Sequence, residues 1–242
     1  MAFLRKLAGM FEASESIVNR WRGLRLTAAR RWSQLLAATL FPPRCCLCGF
    51  EGSEPDLDLC GFCQSDLPWD TEPLPGLVTA MLYEPPADDL IRQLKYGREL
   101  ANARVLGELL AQTVRARAEN LPRLLVPVPL HGVRFRERGF NQAAALALYA
   151  GRSLHLNSVP HALRRVRNTP SQTELGVNER HRNVRGAFAV SNERALRRLR
   201  EAGHVALVDD VITTGSTLAE AKCVLLAAGV SRVDLWAVAR AP

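Results

Sequence analysis

Lysine is almost missing from this chain. Lys6, Lys95 and Lys222 are its only lysines among 32 basic residues, so arginine carries nearly all of the basic charge behind the net +8. Arginine presents a planar fork that holds phosphate oxygens in pairs, which fits a phosphate-rich ligand or a nucleic acid. An arginine-favouring, GC-rich coding sequence would decorate any solvated face in the same way. Long apolar runs are missing too. The longest, Leu35–Phe41, falls far short of the ~20 residues that cross a bilayer, so no transmembrane segment is expected. Polar residues break the opening Met1–Glu15 and leave no signal-peptide core, which points to the cytoplasm. Cysteines are not spread as a disulfide framework; all but Cys223 cluster between Cys45 and Cys63. No internal repeat and no low-complexity tract is present. What is there, 242 residues with 48% hydrophobic content, suffices for one sizeable α/β domain and an appendage.

Three regions differ in character. In residues 1–40 the apolar Phe3, Leu7, Met10, Ile17, Trp21 and Leu24 recur at helical spacing with arginines between them, predicting basic amphipathic helices. Pro42-Pro43 ends that pattern, and residues 41–70 are cysteine-bearing and short of periodicity. In residues 71–242, strands and helices alternate. Strands are expected at Leu77–Tyr83, Leu124–Val128, Val159–Leu163, Ala187–Val190, Val205–Val208 and Val233–Ala239. Helices are expected at Asp88–Tyr96, Ala101–Ala118, Asn141–Arg152, from the cap Asn192 to Glu201, and at Ser216–Ala228 before Gly229. Such alternation predicts a mostly parallel sheet flanked by helices.

VALVDDVITTGST, Val205–Thr217, is the most informative stretch. Four apolar residues make a buried strand, and Asp209-Asp210 falls at its carboxyl end, where open α/β sheets bind ligands. Two adjacent carboxylates suit a vicinal diol, each accepting a hydrogen bond from one hydroxyl. Thr213, Thr214, Ser216 and Thr217 supply hydroxyl donors, and Gly215 lets the main chain approach an anion without a Cβ in the way. The helix that follows points its N–H groups and positive dipole end at the same anion. A strand–turn–helix junction whose Asp and Thr residues merely cap the helix would need neither the acidic pair nor the glycine at this spacing. The stretch is similar to the signature of type I phosphoribosyltransferases. That likeness implies their fold, and a site for phosphoribosyl pyrophosphate (PRPP) or ribose 5-phosphate.

Leu124–Gln142 reads as a strand, a tight arginine-bearing loop and a helix start. Arg134, Arg136 and Arg138 alternate, so that at least two can turn toward one ligand, a pyrophosphate with its Mg²⁺; the other reading is a solvated basic loop. Taken with IRQLKYG at Ile91–Gly97 and RNTPSQTELGVNERHRNVRGAF at Arg167–Phe188, VPVPLH…R.R.RGFNQ resembles the ComF family. Its members include ComFC-type competence proteins and GntX-like proteins. The resemblance runs from about Phe41 to Ala239, in four motifs in the expected order. It places Arg167–Arg185 where such folds carry a loop that closes over PRPP, with Thr169–Thr173, Arg180, Arg182 and Arg185 ordering around pyrophosphate; a basic surface loop is the alternative. His181 is expected to face solvent. Lys95-Tyr96 has no obvious chemical task, and packing or a salt bridge near the site is expected.

Cys45-x-x-Cys48 and Cys60-x-x-Cys63 are two knuckles, each setting two thiolates on one side of a tight turn, which together suit a tetrahedral Zn²⁺. The competing readings are a redox pair or incidental buried thiols. In a segment with so little core of its own, the metal would supply most of the folding free energy. Cys46 is a spare thiol, and Cys223, on an apolar helix face, is expected to be a small core residue. The family resemblance also implies a zinc finger of this type.

Two functions remain open on the sequence. One is an Mg²⁺-dependent phosphoribosyltransferase with an acceptor the sequence does not name. The other is a non-catalytic competence protein that engages single-stranded DNA or DNA-uptake proteins and keeps the fold as scaffold or sensor. Arg20, Arg22, Arg30 and Arg31 with Trp21 and Trp32 could track a DNA strand. The same stretch could instead pack on the phosphoribosyl domain, on a partner subunit such as a homodimer mate, or on a membrane surface.

Overall fold

In the computed structural model of the chain, the apolar runs become the strands of one parallel sheet. The structure describes residues 44–52, 57–72, 74–97, 99–167 and 184–242. The expected N-terminal helices and most of the Arg167–Arg185 loop lie outside the described residues. The elements are α1 (Gly61–Ser65), β1 (Leu77–Leu82), α2 (Ala87–Arg92), a π-helical turn (Gln93–Gly97), α3 (Leu100–Arg117), β2 (Leu124–Pro127), α4 (Gly132–Arg138), α5 (Gln142–Leu154) and β3 (Asn157–Ser158). They continue as β4 (Leu163–Arg165), β5 (Phe188–Val190), α6 (Glu193–Ala202), β6 (His204–Ile212), α7 (Ser216–Ala227) and β7 (Arg232–Arg240). The sheet order is β1-β7-β6-β2-β3, with every pairing parallel, while β4 and β5 form a separate antiparallel pair.

Alternation along β6 explains why helices cover both faces. Ala206 and Val208 point into a core shared with α2, α3 and α5, whereas Val205 and Leu207 point into a second core under α6, α7 and β4–β5. Strands buried on both sides read as unbroken apolar runs, as expected. Asn192 caps α6 by accepting the Ala195 N–H at 2.9 Å.

Three expectations need correction. The strand expected at Val159–Leu163 is two short ones, β3 and β4, because Pro160 between them has no N–H for a ladder. The arginine-bearing loop is the helix α4, ended by Gly139 at φ +81°. The strand expected to end at Val208 runs on to Ile212, because β7 continues beside it, with Asp209 opposite Ala237 and Val211 opposite Ala239.

The cysteine-bearing segment is not a separate bead. Leu57, Leu59 and Leu67 are buried in the same core as Leu106, Leu109 and Trp236, so it draws on a core that its own sequence lacks. Asp58 pairs with Arg104 on α3. Asp70, 1% exposed, accepts from Arg240 on β7 in a two-pronged contact, Nε–Oδ2 2.8 Å and Nη2–Oδ1 2.9 Å, and also from the Thr79 hydroxyl. Arg117 on α3 closes this clasp by donating to the carbonyls of Asp70 and of Thr79, the latter at 3.1 Å. Burial works to raise the Asp70 pKa, but the Arg240 hydrogen bonds outweigh it and hold the carboxyl at about 2.

Candidate functional site

The unequal strand lengths create the cleft. β2 pairs with β6 only as far as Pro127 opposite Val208, so β6 projects beyond its neighbour. Asp209 and Asp210 sit on the projecting part, at the crevice where ligands of open α/β sheets bind. A cleft of about 240 Å³ opens there, lined by Tyr83, Lys95, Tyr96, Arg134, Arg138, Arg165, Asp209, Asp210, Thr213 and Thr217 together with the Val128–Leu130 segment after β2.

Each wall has a local cause. The floor is the acidic pair, ordered by its own backbone: Asp209 Oδ1 accepts the Asp210 N–H at 2.9 Å and Asp210 Oδ1 accepts the Val211 N–H at 2.6 Å. One wall is the turn into α7. Gly215 stands at the N-cap with φ +71°, a backbone that disfavours any side chain, and no side chain caps the helix. The first turn of α7 carries no acidic residue, so the positive helix end is left for an anion. Thr213 and Thr217 face the cleft, Thr214 Oγ1 lies 2.7 Å from Ser216 Oγ behind them, and Ser216 is buried.

The opposite wall is α4. A helix turns ~100° per residue, so Arg134 and Arg138, one turn apart, share the face toward the cleft while Arg136 points away. Accordingly Arg134 and Arg138 line the cleft and Arg136 does not. The Arg138 guanidinium lies over the Tyr96 ring at 5.4 Å and donates to Gln142 Oε1 at 3.1 Å. Behind this helix, Asn141 Nδ2 donates to the Val128 carbonyl at 3.0 Å, tying the start of α5 to the end of β2.

Lys95, Tyr83, Tyr96 and Arg165 complete the site, and sequence reasoning gave them no chemical role. Lys95 Nζ pairs with Asp210 Oδ2 at 3.2 Å and lies 6.0 Å from the Tyr83 ring centre. It is carried by the π-helical turn, which the buried Asn102 braces from α3 by donating to the Leu90 carbonyl at 3.3 Å and to Gln93 Oε1 at 3.0 Å. π-helical turns are rare and are frequent at functional sites; this one ends the helical run that begins with α2. The available signal was the motif IRQLKYG, from which packing or a salt bridge near the site was expected, and the Lys95–Asp210 pair is that salt bridge. Arg165 arrives from β4, its guanidinium 5.3 Å from the Phe188 ring; only the folded β4–β5 pair brings it here.

Like charges crowd in this cleft. Asp209 is pushed up to about 7, first by burial and then by the neighbouring Asp210 charge, with Lys95 and Arg165 pulling the other way. Arg165 is lowered, first by burial and then by Arg134. Such a floor and walls can take a ligand with adjacent hydroxyls at one end and anionic groups at both sides.

The four knuckle cysteines also come together. The sulfurs of Cys45, Cys48, Cys60 and Cys63 all lie within 4.8 Å of one another. A tetrahedral thiolate site with Zn–S near 2.3 Å sets its sulfurs about 3.8 Å apart, so the quartet fits a metal of that size. Cys46 stands outside it, and its thiol is pushed up to about 12, first by burial; Cys223, expected in the core, is instead exposed, because its side of α7 faces solvent.

Known proteins match over most of the chain. Competence protein F of Haemophilus influenzae is 36% identical over 204 residues, 80% of this chain and 84% of that protein. The DNA utilization protein YhgH of Escherichia coli K12 is 37% identical over 201 residues, 81% of this chain and 83% of that protein. The chain belongs to the competence protein F (ComF) family. No protein-family model matches this ComF-family chain. Among solved structures, the glutamine PRPP amidotransferase of B. subtilis overlaps at a TM-score of 0.35 and 19% identity, covering 56% of the ComF-family chain and 25% of the amidotransferase. Adenine phosphoribosyltransferase of Trypanosoma brucei overlaps at a TM-score of 0.35 and 10% identity, covering 69% and 72% of the two chains. Among the described residues, no helix is long and apolar enough to cross a membrane.

Proposed function

We propose that this chain binds Mg²⁺-PRPP in the cleft and transfers its phosphoribosyl group to an acceptor nucleophile. The carrying observation is that one cleft brings together the acidic pair, the threonine turn and two arginines of α4, which lie far apart in sequence. Asp209 and Asp210 accept hydrogen bonds from the ribose hydroxyls. Thr213–Thr217 and the start of α7 hold the 5-phosphate. Arg134 and Arg138 hold the pyrophosphate and stabilise the charge that grows on it. In the reaction the bond from the anomeric carbon to the pyrophosphate oxygen breaks, its electron pair leaving with pyrophosphate, and an acceptor lone pair forms the new bond; no covalent protein intermediate is needed. The carboxylate oxygens of the acidic pair suit a hard cation, and Mg²⁺ on the pyrophosphate would supply charge neutralisation there. Cys45, Cys48, Cys60 and Cys63 hold a structural Zn²⁺.

Calorimetric titration of the chain with PRPP and Mg²⁺ tests this reading. Wild-type protein binds, and the double variant Asp209→Asn/Asp210→Asn loses most of the affinity while staying folded. A wild-type chain that binds no PRPP overturns it. A second reading draws on the names of the relatives, which speak of competence and DNA utilisation: the fold serves as scaffold or sensor in a protein that engages single-stranded DNA. Pyrophosphate release from PRPP with candidate acceptors, measured beside single-stranded DNA affinity and its salt dependence, separates the two.

A further inference from the structure

The cleft contains an ion pair that an incoming sugar has to contend with. Lys95 Nζ and Asp210 Oδ2 are 3.2 Å apart, with only 16% and 14% of the two side chains exposed. The other Asp210 oxygen already accepts the Val211 N–H at 2.6 Å. A ribose hydroxyl that takes Asp210 therefore competes with an ammonium. Separating a largely buried ion pair is costly unless a second anion receives the cation. PRPP brings such an anion, the pyrophosphate on its anomeric carbon; ribose 5-phosphate has only a hydroxyl there.

The geometry favours a short transfer. The next residue, Tyr96, has its ring under the Arg138 guanidinium at 5.4 Å, so the π-turn that carries Lys95 bridges the acidic floor to the arginine wall. Asn102 fixes the backbone leading into that turn, which leaves the lysine side chain as the part that moves. Lysine suits the task because its ammonium is a compact charge on a flexible stem, whereas guanidinium is a rigid fork.

We propose that Lys95 is the specificity-determining residue of this cleft: it holds Asp210 before the ligand arrives and passes to the pyrophosphate of PRPP, so that PRPP is taken in preference to ribose 5-phosphate. The inference rests on the phosphoribosyl reading above and adds to it a reason for selecting the activated sugar.

Titration of the full chain with PRPP and, separately, ribose 5-phosphate, both with Mg²⁺, tests it on wild type, Lys95→Met and Lys95→Arg. Lys95→Met weakens PRPP about tenfold, the effect of losing one charge-assisted contact, and leaves ribose 5-phosphate unchanged or tighter. The preference ratio thus falls, and Lys95→Arg restores part of it. Equal weakening of both ligands marks Lys95 as merely structural and overturns the inference, as does an unchanged ratio. Lys95→Gln repeats the comparison if Lys95→Met fails to fold. A wild-type chain that binds both ligands with no preference overturns the inference and leaves the phosphoribosyl reading standing. One that binds neither brings down that reading, and the inference with it.

Discussion

The seam between the cysteine-bearing segment and the sheet treats charge in the opposite way to the cleft. At the seam each acid meets a base: Asp58 meets Arg104, and Asp70 meets Arg240. In the cleft Lys95 pairs with Asp210, but Asp209 adjoins that same Asp210 and Arg134 crowds Arg165. Burial opposes ionisation in both places, yet Asp70 sits near 2 and Asp209 near 7. Partner count decides the sign. A region whose charges are mutually satisfied holds the fold together, and a region crowded with like charges is arranged for something that arrives later.

The contrast can be broken from the seam side first. Replacing Cys45, Cys48, Cys60 or Cys63 with serine should release one tightly held zinc per chain and strongly destabilise the protein, because the binding free energy of a structural metal is folding free energy. Because the segment shares its core with α3, the whole chain should melt earlier, and Cys46→Ser should do far less. Metal analysis with thermal unfolding reads both, and zinc-free wild-type protein would refute the assignment.

Asp70→Asn comes next. It leaves Arg240 without its carboxylate in a mostly buried place and should cost about 3 kcal/mol in urea unfolding. Loss of PRPP affinity without loss of stability would place Asp70 with the cleft instead.

The two carboxyls should also bend the stability–pH curve in opposite directions. Asp70 is lowered in the folded state, so its contribution is full above the ordinary value of 3.8 and disappears as pH falls toward about 2, a loss of about 2 kcal/mol. Asp209 is raised, so stability declines as pH climbs from 3.8 to about 7 and is level above that. Asp70→Asn should flatten the acid limb alone. Asp209→Asn should flatten the limb between 3.8 and 7 alone, without lowering stability at neutral pH. If both variants change the same limb, the contrast between the regions fails.

How much of this was legible depended on whether the chemistry is local in sequence. The quartet rests on two tight turns, and Asp209–Thr217 on one strand–turn–helix junction, so spacing alone brought out both. The α/β architecture followed from apolar runs between helical patterns. Arg165 was illegible as a site residue because only the β4–β5 pair carries it to β6, whereas Lys95 was expected to pack or salt-bridge near the site, and only the fold showed that its partner is Asp210. The geometry of Arg134–Arg138 was misread for a different reason. Arginines at i, i+2 and i+4 all share one face of an extended loop, whereas in a helix only the first and the last do, and the heavily charged stretch carried no apolar period to distinguish these. The length of β6 was likewise hidden, since its last residues pair on one side only and bear the polar groups of the cleft.

The apolar continuity beneath the cysteine quartet constrains how this protein can be cut, inherited or degraded. Leu57, Leu59 and Leu67 complete a core that also contains Met81, Leu106 and Trp236. Excising residues 44–70 would therefore leave an oily scar on the sheet-bearing part, an aggregation-prone surface that chaperones and proteases would recognise. Segment and sheet should melt in one cooperative calorimetric transition. Shortage of metal in the cell would then register as scarcity of the whole protein, cleft included, and not as a population of half-folded but otherwise competent molecules.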